Sequence, residues 1–191
     1  MSEAVKQQIV ISGVGGQGVL FITRLLAEAA IGKGLSVTTS ETHGMAQRGG
    51  TVLSHFKVGD YCSPLIRPAQ ADGLLVLKAE NIAQHGAFLR SGGWVTLNAG
   101  SDESPSGSAA NVIDADAIAR RIGNPKSVNL VLLGFSLAVN EKAPVAKNPL
   151  FCNLSDIQNV LNARFGGKEK LLSASLAALQ SGYDAAVASS Q

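Results

Sequence analysis

Three closely spaced glycines constrain this chain more than any other feature. Ile9-Val10-Ile11 is a short apolar run leading straight into Gly13-Val14-Gly15-Gly16-Gln17-Gly18. Behind the last glycine, Leu25, Leu26, Ala29 and Ala30 mark one packing face of a helix over 19–30. A strand, a glycine turn and a helix in that order make a βα unit. The first glycine allows the tight turn, the second lets backbone approach a bound group, and the third lets the helix pack near the strand. Backbone N–H groups left free at the helix start can hold a phosphate, a carboxylate or another oxyanion.

Three readings of that turn follow. Gly13, Gly15, Gly16, Gln17 and Gly18 form an anion or cofactor-phosphate loop, a purely structural turn, or part of an NAD or FAD site. The last reading needs an acid near the tip of the second strand to hold ribose hydroxyls, and Glu41 is the residue on offer. A P-loop ATPase is excluded, because Val19-Leu20 stand where its lysine and hydroxyl residue belong.

The rest of the chain repeats the alternation. Strands are predicted over 35–39, 51–58, 74–77, 94–97 and 112–113, and helices over 79–89, 116–121, 154–165 and 168–187. The most apolar stretch, 129–139, is either a strand followed by a helix or one buried helix. Residues 98–110, with Gly100, Pro105 and Gly107, are expected to form an exposed flexible loop. This order predicts an α/β fold: one three-layer αβα domain over 1–191 around a central, largely parallel or mixed sheet. The C-terminal helices around 154–189 cover one face or dock on a partner.

Composition limits the function classes. Hydrophobic residues reach 46% but aromatic ones only 5%, so the core must be built from Leu, Val, Ile and Ala. Sixteen basic against 14 acidic residues leave a net charge of +2, with no basic stripe for nucleic acid. The longest apolar run, around 130–139, is shorter than the ~18 residues of a membrane span. No signal peptide is visible, and a cytoplasmic setting is expected. Cys62 and Cys152 are too few for a disulfide scaffold, a four-cysteine zinc site or an iron–sulfur cluster held within the chain. His43, His55 and His85 show no metal-ligand spacing, so no metal site is expected.

The second informative stretch is Ser40-Glu41-Thr42-His43-Gly44-Met45-Ala46-Gln47-Arg48-Gly49-Gly50. A loop of this kind lies near the carboxyl ends of strands, where α/β sheets bind ligands, and is expected beside the Gly13–Gly18 turn. His43 is a weak catalytic candidate, because no nucleophile stands at a compelling spacing; hydrogen bonding to a ligand or partner and plain loop structure are its other readings. Arg48 suits a carboxylate or phosphate, an intersubunit contact or an internal salt bridge. Glu41 either pairs with Arg48 or serves the crevice. With Thr42, Gly44, Gln47, Gly49 and Gly50, these residues make the predicted crevice or interface.

Val14-Gly15-Gly16-Gln17-Gly18, the 40–51 stretch ending in Arg48-Gly49-Gly50-Thr51, and Ser63-Pro64-Leu65-Ile66 together resemble the gamma-type subunits of the 2-oxoacid:ferredoxin oxidoreductases. The string His43-Gly44-Met45-Ala46-Gln47-Arg48-Gly49-Gly50 resembles the beta subunits of the indolepyruvate branch. Ala71-Asp72 and the Asn129–Gly134 segment extend the likeness over most of the chain. The resemblance implies a non-cofactor-bearing subunit of a complex that oxidatively decarboxylates arylpyruvates to aryl-acetyl-CoA and reduces ferredoxin. It implies thiamine diphosphate and iron–sulfur clusters in a larger partner subunit, coenzyme A as co-substrate, and little activity alone. An isolated chain could form a homodimer. Read from its residues without the resemblance, the chain remains open to an independent NAD- or flavin-binding oxidoreductase and to a small-ligand-binding regulatory module.

Overall fold

The computed structural model of the chain describes residues 5–44, 50–100, 110–142 and 148–188. Its centre is a six-stranded sheet of β1 (Gln7–Val14), β2 (Val37–His43), β3 (Thr51–Val58), β4 (Ala71–Val76), β5 (Leu89–Asn98) and β6 (Asn111–Ile113), in the order β2-β3-β1-β4-β5-β6. β1, β4, β5 and β6 run parallel, whereas β3 is antiparallel to both β1 and β2. The sheet is therefore mixed, and helices flank it.

Ile9, Val10 and Ile11 are all fully buried, so the apolar run at the start of the chain faces a core on each side of the sheet. One face carries Ile9, Ile11, Phe56, Val58, Leu75 and Trp94 and packs against α1 (Val19–Gly32), α3 (Ala115–Arg121), α4 (Val128–Lys142), α5 (Leu154–Phe165) and α6 (Glu169–Ala188). The other carries Val10, Leu53, Leu74, Val76 and Val95 under Ile66 and one short helical segment, Ala79–Phe88. The two helical layers are thus very unequal.

Residues 129–139 belong to one helix. Leu130 to Ala138 are all buried, and a helix enclosed on every side has no amphipathic period to distinguish it from a strand. Helix α4 crosses α6 with backbone against backbone. A methyl group on Gly134 would collide with the Leu179 carbonyl oxygen, and one on Gly182 with that of Val131. The predicted strand over 35–39 instead runs to His43, because Ser40–His43 pair with Val52–His55 of β3. On an edge strand of polar residues there was no apolar alternation to find. The helix predicted over 79–89 breaks into a 3₁₀ turn, the four-residue helix α2 (Ile82–His85) and a second 3₁₀ turn. Leu89 already belongs to β5, which is longer than the predicted 94–97. Most of the loop predicted over 98–110 lies outside the described residues.

Candidate functional site

The Gly13–Gly18 turn stands at the carboxyl end of β1. Gln17 N donates to Val14 O at 3.1 Å and closes it. The Gln17 side chain folds back inside: Oε1 accepts from Val14 N at 2.9 Å and Nε2 donates to Leu77 O at 3.2 Å. Gln17 is thus committed to shaping the turn. Gly13 is enclosed by Val19, Gln17 and Leu77, so a side chain has no space there. Gly18 has φ +82° and lies against Asn129. Gly15 and Gly16 are exposed, and Gly16 has φ +92°. Helix α1 follows with no side-chain cap and no acid in its first turn. Val14, Gly15, Gly16, Gly18, Val19, Leu20 and Val52 line an open cleft of about 310 Å³, with no charged side chain among the described residues that line it.

The second glycine-rich stretch is the connection of a β2–β3 hairpin, and its ends meet the turn as expected. Gly44 N donates to Thr51 O at 2.8 Å, and Gly15 N donates to Gly50 O at 3.0 Å. The hydrogen bond to Gly50 ties the two glycine segments together at the carboxyl edge of the sheet. Glu41 and Thr42 are exposed on β2, opposite Ser54 and Leu53. His43 pairs through its backbone with Val52; its side chain, together with Met45, Gln47, Arg48 and Gly49, lies outside the described residues.

This order separates the site from a dinucleotide fold. There the second strand neighbours the first, and its terminal acid reaches the ribose. Here β3 stands between β2 and β1, so Glu41 sits two strand spacings from β1, roughly 9.6 Å, rather than one.

Sequence reasoning missed the polar network behind the turn. Asn81 Nδ2 donates to Ser12 Oγ and to Gly13 O, each at 3.0 Å, and Ser12 Oγ lies 2.7 Å from His85 Nδ1. The Ser12 oxygen accepts from Asn81, and the His85 tautomer sets which of Ser12 Oγ and His85 Nδ1 donates to the other. The short helical segment on the far face thereby holds the first glycine's carbonyl. Ser12 is fully buried, so this Ser–His pair has no access to substrate. Burial holds the His85 imidazole below its ordinary range; burial first, then the Lys57 and His85 charges, does the same for His55. Asn98 staples the next strand end: Nδ2 donates to Leu77 O at 3.1 Å and to Asp116 Oδ2 at 2.7 Å, and Oδ1 accepts from Ala115 N at 2.9 Å. Only a long-range contact list could have found Asn81, His85 and Asn98, because their partners are distant in sequence.

Among the described residues, no group of three or more His, Cys, Asp or Glu could hold a metal ion. Cys62 is exposed; Cys152 lies in the main core, where burial pushes its thiol far above the usual range. No helix among the described residues is long and apolar enough to cross a membrane.

Comparison with known proteins fits these features. Residues 8–185 match the pyruvate ferredoxin/flavodoxin oxidoreductase family. The indolepyruvate oxidoreductase subunit IorB of Archaeoglobus fulgidus is 31% identical over 201 aligned positions, covering 94% of each chain. The corresponding subunit of Thermococcus kodakarensis is 32% identical, covering 66% of this chain and 74% of its own. Among solved structures, the gamma subunit of a keto/oxoacid ferredoxin oxidoreductase from Geobacter sulfurreducens superposes with a TM-score of 0.71 at 25% identity, covering 95% and 99% of the two chains. A 2-oxoglutarate:ferredoxin oxidoreductase from Magnetococcus marinus shares the fold at a TM-score of 0.74 and 24% identity; 97% of this chain aligns with 32% of that one. The chain belongs to the pyruvate ferredoxin/flavodoxin oxidoreductase family, similar in sequence to indolepyruvate oxidoreductase subunits and in structure to a gamma subunit.

Proposed function

We propose that this chain is the smaller subunit of a thiamine-diphosphate-dependent complex that oxidatively decarboxylates arylpyruvates such as indolepyruvate. In the overall reaction the bond between the carboxylate and keto carbons breaks, and carbon dioxide leaves. A carbon–sulfur bond to coenzyme A forms, the thiol proton is released, and the electron pair passes to ferredoxin. The observation that supports this most is the 31% identity to an indolepyruvate oxidoreductase subunit over 94% of both chains.

The residues of this chain suit a shaping role. An iron–sulfur cluster takes four thiolates or their equivalents, and the chain has only Cys62, exposed, and Cys152, buried. The clusters and the thiamine diphosphate are assigned to a larger partner subunit, where thiamine diphosphate supplies the carbanion stabilisation that decarboxylation requires. This chain supplies backbone. The exposed Gly15-Gly16 turn places an anionic group of coenzyme A at the uncapped start of α1, where peptide N–H groups other than those of Gly15 and Gln17, already bonded to Gly50 O and Val14 O, receive it. Arg48, on the hairpin connection tied to that turn through Gly50, pairs with the same group. Glu41, Thr42, His43, Gly44, Gln47 and Gly49 complete the crevice or the subunit contact, and His43 remains the weak catalytic candidate.

The test is co-production with the larger subunit and an anaerobic assay of coenzyme-A-dependent ferredoxin reduction. Indolepyruvate is expected to be preferred over pyruvate and 2-oxoglutarate, with little activity from this chain alone. Gly16→Asp and Arg48→Ala are expected to raise the KM for coenzyme A. An assembled complex that ignores arylpyruvates, or turns over equally well without this chain, would overturn the reading.

A further inference from the structure

Away from the glycine cleft, the sheet carries a cluster of uncompensated positive charge. Lys57 lies on β3 opposite Gln8, near the amino end of β1, and so roughly 20 Å along the strands from the Gly15 turn. Its side chain is on the sheet face covered by the 60–70 loop. Only 5% of Lys57 is exposed, yet no carboxylate pairs with it among the described residues. Its ammonium instead sits 4.9 Å from the centre of the Tyr61 ring. The Lys6 ammonium sits 5.5 Å from the same ring centre.

A third cation joins them. Ile66 N donates to His55 Nδ1 at 3.3 Å, and His55 shares a sheet face with Lys57 two residues on. That bond brings Arg67 over the same part of the sheet. The Arg67 charge is felt at Lys57: burial first, then Arg67, holds the Lys57 ammonium below the usual lysine range. The nearest buried acid, Asp72, is engaged by Arg90 at 2.8 Å and by Gln8 N at 2.7 Å. Asp60, exposed at the turn before Tyr61, makes no ion pair with any of the three.

We propose that Lys6, Tyr61 and Arg67, with the buried Lys57 beneath them, form a docking surface for an acidic segment of the larger subunit, an inference that rests on the functional reading above. Two ammonium groups at one aromatic ring, with Arg67 close enough to act on Lys57 and no carboxylate paired with any of the three among the described residues, complement a surface of opposite charge. The same two segments expose Val5 (42%) and Leu65 (53%), two of the large apolar side chains that stand in water in this chain. Aliphatic groups beside cations and a tyrosine suit a protein partner, whereas a free phosphate has no apolar part to meet them. A second copy of this chain, docked about a two-fold axis, would bring the same positive patch against itself.

The experiment measures binding of the full chain to the larger subunit at about 0.05 M and 0.5 M salt, for the natural chain, Lys6→Glu, Arg67→Glu and the double variant. Lys6 and Arg67 are exposed, so unchanged circular dichroism and Tm establish that the variants fold. Each reversal is expected to raise the Kd at least tenfold at low salt, mostly through slower association, and the difference should shrink at high salt. Binding within twofold of the natural chain for the double variant would overturn the surface while leaving the functional reading intact. No complex with the natural chain would overturn both. Competition by millimolar inorganic phosphate, beyond the effect of matched sodium chloride, would overturn the protein partner in favour of a small-anion site. So would a salt-dependent self-association that the reversals abolish while binding to the larger subunit is unchanged.

Discussion

The crossing of α4 and α6 offers the sharpest test of the packing. Replacing Gly182 by alanine adds one methyl group. On the present backbone it would lie 2.7 Å from the Val131 carbonyl carbon and 2.9 Å from the Val131 Cα, and closer still to the Val131 carbonyl oxygen. Relaxed carbon–carbon contacts lie near ~3.5–4.0 Å, so the helices must part by about 1 Å. All three obstructing atoms are backbone, so no side-chain rotation relieves the overlap. Overpacking of this kind costs about 1–3 kcal/mol, occasionally more, against a gain of about 1 kcal/mol from replacing a helical glycine. The net loss is about 0–2 kcal/mol if the helices yield easily and larger if they do not. At about 2–4 °C per kcal/mol for a chain of this length, Tm should fall by up to about 8 °C. Gly32→Ala is the control. Gly32 ends α1 in the open, with nothing near the added methyl group, so the same chemical change should be neutral or raise Tm slightly. Thermal unfolding followed by far-UV circular dichroism reads both. If Gly182→Ala raises Tm, as an unobstructed helical glycine would on replacement, the backbone-to-backbone crossing is wrong.

Three further perturbations follow from the site and its supports. Gly18→Ala should lose about 1–3 kcal/mol, because Gly18 has φ +82° and abuts Asn129. Adding Asn129→Ala should recover the collision but not the backbone strain, so complete recovery in urea unfolding would refute the division. Asp72→Ala strands the Gln8 N–H and frees Arg90, and should cost about 1–3 kcal/mol, whereas Asp72→Asn keeps an acceptor and should cost less; equal urea midpoints for the two would count against the hydrogen bond. Burial keeps His55 and His85 below the ordinary histidine value of about 6.5 in the fold. Above that value neither state carries the protons; as pH falls through it the unfolded chain binds them first. Stability should therefore drop below about pH 6.5 and level off once the folded rings protonate. A Tm that stays flat from about pH 7.5 to 5 would sink the argument, and His85→Gln should make the drop shallower.

Local chemistry made much of the molecule legible in the sequence. The βα unit with its glycine turn, strand β3 at Thr51–Val58 and helix α5 at Leu154–Phe165 are where the residue pattern put them. Each carries its own signal: a glycine spacing before a helical face, an alternating run closed by Gly59-Asp60, and an amphipathic run ended by Gly166-Gly167. The two glycine segments were expected side by side, and the Gly15–Gly50 hydrogen bond joins them. The string ending in Arg48-Gly49-Gly50 likewise pointed to the family that the full-length comparison supports.

Only the tertiary structure decided the rest, because it depended on neighbours far apart in the chain. That β3 runs antiparallel between β2 and β1 follows from a hairpin pairing, and it removes Glu41 from the position a dinucleotide acid needs. No periodicity distinguishes a helix buried all round from a strand, so α4 became a helix only through its crossing with α6. Asn81, His85 and Asn98 look like ordinary polar residues until β1, β4 and β5 bring Gly13 O, Ser12 Oγ and Leu77 O to them. Nothing in its strand marks Lys57 as buried; folding brings it against Tyr61, with no carboxylate paired to it among the described residues. Sequence determines which residues can turn, cap or pack locally, while hydrogen-bond partners and uncompensated charges exist only once distant strands are set in register.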